Sequence, residues 1–149
     1  MVAHPEGGFY VECYRSDNSH LLSDGRQRPY CTHIYYLLPS GDFSSWHKIK
    51  SDEIWHHYSG DPLVVVSLAE KEGVVKQKIG STLDYQPSCV VDAGKWFAAG
   101  LAEDVVGYCL VGCTVAPGFD FDDFTLGSRE EVLKEFPNYK GIINKYAKL

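Results

Sequence analysis

The stretch from Gly41 to Gly60 reads GDFSSWHKIKSDEIWHHYSG, and its spacing decides the fold. His47 follows Gly41 after five residues, Ile49 comes one residue later, Glu53 after three more, and Gly60 after a further six. The run Glu53 to Tyr58 is rich in β-branched and aromatic residues and is closed by the turn residues Ser59 to Pro62, so it reads as a strand. Strand side chains alternate between two faces, which puts Glu53, Trp55 and His57 on one side and Ile54, His56 and Tyr58 on the other. His47 lies at the end of the preceding strand, across a short turn. Three groups, His47, Glu53 and His57, can then converge on one interior point. Imidazole and carboxylate are ligands that Zn, Mn, Fe or Ni accept, and histidine suits proton transfer near neutral pH. The plainer reading of His47 and Glu53 is a hydrogen-bonded pair that orders a pocket, because a buried acid needs a partner.

Outward from this stretch the same pattern repeats. Turn signals recur at Pro5–Gly8, Ser23–Gly25, Pro39–Gly41, Glu70–Gly73, Ala93–Gly94 and Pro117–Gly118. Between them lie the strand-like runs 9–14, 31–38, 63–69, 74–79, 88–92 and 105–115. Many short, evenly spaced strands predict a sandwich or a closed barrel. The C-terminal residues differ. Ser128 followed by Glu131 forms a capping-box signature before Val132, Leu133 and Phe136, and Pro137 stops that helix. Ile142, Ile143, Tyr146 and Leu149 then recur at helical spacing. The expected architecture is a single domain over 1–149, with a barrel over about 5–125 and a helical tail over about 128–149.

Composition removes several function classes. The net charge is −6 and the densest basic stretch, Arg26 to Arg28, holds two charges, which argues against nucleic-acid binding. No apolar run approaches the ~20 residues of a membrane span. The N-terminal MVAHPEGG lacks the pattern of a signal peptide. Five cysteines, an odd number with no CxxC pair, read as reduced thiols, so the expected location is the cytoplasm. Gly7 and Gly8 mark a turn and not a phosphate loop, since neither GxGxxG nor GxxxxGK follows. Asp120, Asp122 and Asp123 alternate with Phe119, Phe121 and Phe124, which suggests an acidic loop anchored by aromatics and not a calcium loop.

The Gly41–Gly60 spacing resembles the first cupin motif, with Ile49 standing where the second metal-binding histidine would be. The second cupin motif is matched by Asp92–Phe97 and Leu101, with Phe97 in the histidine position. Two of four usual ligands are therefore missing, and the resemblance implies at most a weakly held divalent metal on His47, Glu53 and His57. The chain also resembles a narrower group, the DUF985 or cupin-5 family. The matching segments are HPEGGFY (4–10), IYYLL (34–38), SDEIWHHYSGDPL (51–63), DAGKWFAA (92–99) and LVGCTVAPGFDFDDF (110–124). This chain departs from that family near the pocket rim, with Asp92 where the family has Pro and with histidines at 56 and 57. The resemblance implies an all-β, cupin-type double-stranded β-helix (jelly-roll) barrel with one or two short C-terminal helices, usually as a homodimer. It implies no agreed reaction.

Fold cannot settle function here, because one fold hosts many chemistries. The first expectation is an enzyme acting on a small polar ring, such as a sugar, a sugar nucleotide or a nucleotide-like compound. His47, Glu53 and His57 are its catalytic candidates, and Trp46, Trp55, Trp96 and Phe97 line its ligand pocket. The second is a non-catalytic small-molecule sensor using the same cavity. The third is an interaction scaffold, which would gain nothing from burying ionisable side chains.

Overall fold

The computed structural model describes residues 1–148; Leu149, part of the predicted helical repeat, lies outside the described residues. Thirteen strands precede two short helices. The first seven strands are β1 (Val2–Ala3), β2 (Phe9–Arg15), β3 (Ser19–Leu21), β4 (Gln27–Pro29), β5 (Thr32–Pro39), β6 (Phe43–Lys48) and β7 (Asp52–Gly60). They are followed by β8 (Leu63–Ala69), β9 (Gly73–Ile79), β10 (Ser88–Val91), β11 (Trp96–Leu101), β12 (Tyr108–Ala116) and β13 (Thr125–Leu126). Helices α1 (Arg129–Glu135) and α2 (Lys140–Lys145) end the chain.

Two antiparallel sheets face each other. One has the order β1-β2-β5-β12-β7-β10, the other β13-β6-β11-β8-β9, and β3 pairs only with β4. Neither sheet closes on itself, so the barrel is an open two-layer jelly roll. Alternation along the strands builds two separate cores. On β8, Leu63 and Val65 point between the sheets, while Val66 and Leu68 point to the outer side of the five-stranded sheet. On β11, Phe97 and Ala99 point inward, and Trp96 and Ala98 point outward.

The helices cover that outer face. Ser128 accepts the N–H of Glu131 and the Glu131 carboxylate accepts the N–H of Ser128, the reciprocal cap expected from sequence. Val132, Ile143 and Tyr146 pack on Trp46 and Trp96, so the tail completes a second hydrophobic core. A strip apolar on both faces would otherwise be left open to water.

Strands β6 and β11 lacked the alternating signal of the others. β11 reads WFAAGL and is buried on both sides, which removes the polar half of the pattern; β6 reads FSSWHK, where a bulge and buried Ser and His side chains break the alternation. The β3–β4 hairpin is polar and short, and it is held from outside itself. Arg26 Nη1 and Arg28 Nε both donate to Asp123 Oδ2 at 2.9 and 2.8 Å, and Arg28 Nη2 donates to Oδ1 at 2.9 Å. The acidic loop is thus anchored by arginines as well as by its phenylalanines. No helix among the described residues is long and apolar enough to cross a membrane.

Candidate functional site

A cavity of about 470 Å3 opens at one end of the sandwich. Its walls come from the N-terminal segment (His4, Glu6), from β2 and β5, from His47 on β6, from Glu53 on β7, from Cys113 and Val115 on β12, and from the loop carrying Phe119, Phe121 and Phe124.

Glu6 is the hub of its polar wall. Its placement begins with Gly7 and Gly8, whose φ values of 123° and 66° let the chain double back. A side chain at Gly7 would meet the Phe43 carbonyl oxygen at 2.0 Å. The turn is pinned by Tyr36 Oη donating to Gly7 O (2.7 Å) and by Gly8 N–H donating to Asp42 Oδ2 (2.8 Å). Glu6 O then accepts the N–H of Ser45 at 2.8 Å, which stitches the segment to β6.

A bulge in β6 does the rest. Phe97 pairs with His47 but Ala99 pairs with Ser44, so β6 carries an extra residue opposite β11. Ser44 and His47 are three apart and would face opposite ways in a regular strand; the bulge brings both to Glu6. Ser44 Oγ donates to Glu6 Oε1 at 3.0 Å, and His47 Nε2 lies 3.1 Å from Oε2.

The hydrogen bonds fix the protons. His47 Nδ1–H donates to Ser45 O at 2.7 Å, so the neutral ring presents a bare Nε2 to Glu6. Burial pushes His47 down to about 4 and pushes Glu6 above the ordinary carboxylate range, against the opposing pull of His4. Both shifts favour a protonated Glu6 donating to a neutral His47. His4 completes the group: its Nδ1 accepts the N–H of Glu6 at 3.3 Å and sits 3.4 Å from Oε2.

Glu53 stands apart. Its residue is 7 % exposed, no charged group among the described residues pairs with it, and its polar neighbours are the Cys113 thiol and the Trp55 indole. Burial, reinforced by Glu6, pushes it up to about 8; the nearby Cys113 thiol and Trp55 indole pull weakly the other way. Burial therefore holds Glu53 towards its neutral, protonated form. The buried Cys89 and Cys109 thiols are pushed up to about 12 and Cys113 is also raised, which makes all three poor nucleophiles.

The residues expected from sequence divide sharply. His47 and Glu53 both line the cavity. His57 does not: it lies four residues, roughly 13 Å, beyond Glu53 along the strand and is not among the lining residues. There a bulge sets His57 opposite Val111, and its Nε2 meets Asp61 O at 3.2 Å. His56 faces outward, bonding Thr114 Oγ1 at 3.0 Å. Trp46 and Trp96 are in the second core, with indole N–H groups donating to Ile143 O (2.9 Å) and to Glu135 Oε2 (3.0 Å). Their neighbours His47 and Phe97 take the inner face, so neither tryptophan can line the cavity. Trp55 and Phe97 lie in the core beneath the cavity, Phe97 with its ring centroid 4.0 Å from that of His47.

A divalent metal does not fit this arrangement. His47 has one ring nitrogen on Ser45 and the other on Glu6, His57 is elsewhere, and Ile49 and Phe97 offer no donor atom. Among the described residues no three His, Cys, Asp or Glu side chains gather as a metal site. Glu6 and His4, which the sequence reading did not single out as site residues, take the space around His47 instead.

A protein from Leishmania major is similar over its whole length: 29% identity, TM-score 0.92, covering 99% of this chain and 93% of the other. A protein from Shewanella oneidensis is similar at 33% identity and TM-score 0.89, over 99% of this chain and 90% of the other. A double-stranded β-helix protein from Klebsiella pneumoniae shares the fold at 12% identity and TM-score 0.56, over 85% and 84% of the two chains. Among curated proteins none matches significantly. The family profile described as "Cupin superfamily (DUF985)" matches residues 1–127, and the chain belongs to that family.

Proposed function

We propose that the cavity binds a small polar ring compound, of the size of a sugar or a nucleotide-like molecule, and moves a proton on it in an isomerase- or epimerase-like reaction. One observation carries the reading: three ionisable side chains, Glu6, His47 and Glu53, are buried on the wall of one cavity. Burying such groups costs stability that a scaffold has no reason to forgo. Glu53, which burial holds towards its protonated form, is the proton donor. Glu6 and His47 hold one proton between two basic sites, so the pair can accept a second. Phe97 packs under the His47 ring and keeps it oriented.

The test is solvent-deuterium exchange into candidate ring compounds, followed by proton NMR. The expected result is exchange with the native protein that slows by about a hundredfold or more in Glu53→Gln and in His47→Ala, the usual weight of a general acid or base. A compound that binds but never exchanges would make the protein a binding module or sensor.

We also infer a homodimer in the cytoplasm, where the five unpaired thiols suit a reducing environment. The outer face of the six-stranded sheet supports it: Val11, Tyr35, Tyr58 and Val90 are exposed there on β2, β5, β7 and β10. Light scattering on the native chain should give twice the chain mass, and Tyr35→Lys combined with Tyr58→Lys should give the monomer. A native monomer would remove the inference.

A further inference from the structure

The ionisable lining of the cavity is lopsided. Glu6, Glu12, Glu53 and Asp120 line it, and Arg15 is the one lysine or arginine among its described lining residues. That arginine is already engaged. Its Nε and Nη2 donate to both oxygens of Glu12 at 2.9 and 2.7 Å, and its Nη1 donates to Phe119 O at 3.1 Å. No free cation is left to meet an anionic ligand. Deep inside, the Glu53 carboxyl is more than nine-tenths buried, has no ion-pair partner among the described residues, and lines the open space.

Another part of the lining is aromatic. Phe119, Phe121 and Phe124 stand edge to face, with centroids 4.9 Å (119–121), 6.2 Å (119–124) and 5.9 Å (121–124) apart. The His4 ring joins them, 6.0 Å from Phe121 and 5.8 Å from Phe124, and also meets Tyr10 at 4.7 Å. Ring faces carry partial negative charge and attract cations, and aromatic walls combined with carboxylates are the chemistry that recognises organic cations.

From this juxtaposition we infer that the ligand is an organic cation: a planar ring bearing an amidinium or protonated amine, its body against the phenylalanines and its charge at Glu53, which gives up its proton as the cation docks. The inference rests on the small-molecule reading above and narrows it. It also turns phosphates and carboxylates away from the interior, where they would meet no available lysine or arginine among the described lining residues.

Isothermal titration of the full chain with three isosteric probes separates the cases: benzamidine (cation), benzamide (neutral) and benzoate (anion). Benzamidine should bind at least about tenfold more tightly than benzamide, with benzoate weakest, as a charge meeting a buried carboxylate requires. In Glu53→Gln, whose folding is checked by circular dichroism, benzamidine should lose about tenfold or more while benzamide changes little. Benzamide or benzoate binding as well as benzamidine would overturn the cation assignment and leave a small-molecule cavity standing. So would a Glu53→Gln protein that keeps full benzamidine affinity. If none of the three binds, the cation assignment and the small-molecule reading fall together.

Discussion

Glu53→Gln should stabilise the fold at pH 8, by an amount that grows steadily from acid to mildly alkaline pH. In the unfolded chain Glu53 titrates as an ordinary glutamate; in the folded chain burial raises it from 4.5 to about 8. Between those two values the unfolded state has released a proton that the folded state still holds. The unfolded state then binds fewer protons, so the slope of stability against pH is negative. The stabilisation present below pH 4.5 is progressively lost as pH rises towards 8, and no further loss accrues above it. A difference of that size is worth on the order of 4 kcal/mol at its full extent. Glutamine keeps the volume and cannot ionise, so the mutant escapes this loss. Urea unfolding at pH 5, 6.5 and 8 measures it: the gap between mutant and native protein should be small at pH 5 and several kcal/mol at pH 8. A gap that stays flat with pH would mean that Glu53 is ionised in the folded protein, and the proton-donor role would go with it. A residue whose removal stabilises the fold while slowing proton exchange is held for function, not for architecture.

The sequence carried the family, the jelly-roll layout, the capped tail and the two buried groups His47 and Glu53, because these depend on local spacing and period. What it carried but was not fully used is alternation at adjacent residues. His47 and Trp46 are neighbours on one strand, as are Phe97 and Trp96, so each pair had to split between the two faces. The tryptophans went to the helix-covered side. His57 had the inward parity and still missed the cavity, because parity chooses a face and says nothing about distance along the strand. Glu6 was out of reach for a different reason. Its partners Ser44 and His47 lie 38 and 41 positions away, and they meet it only through a bulge and a pair of left-handed glycines. Its local signal is an acidic residue directly before Gly-Gly, a pattern that by itself specifies only a turn.

Gly7→Ala should cost about 3 kcal/mol or more and should disable the site even in the molecules that remain folded. Two costs add. At φ 123° an alanine is strained in a region that is almost exclusively glycine's, worth roughly 1–3 kcal/mol. Its Cβ would also sit 2.0 Å from the Phe43 carbonyl oxygen, which is backbone and part of β6, so relief requires moving the N-terminal segment away from that strand. The movement breaks what the turn was holding: Glu6 O from Ser45 N–H, and the Glu6 carboxyl from Ser44 and His47. His47 Nε2 then loses its buried partner, and an imidazole left to water returns towards its usual value from about 4. The measurement is the His47 titration by NMR in the folded fraction, alongside the unfolding midpoint. A Gly7→Ala protein with a native midpoint and a His47 that still titrates near 4 would show that the double-glycine turn does not position Glu6. Gly41→Ala is the control for glycine loss itself: that residue also has positive φ, but a Cβ there meets nothing within 4 Å, so its effect should be strain alone and His47 should be unchanged.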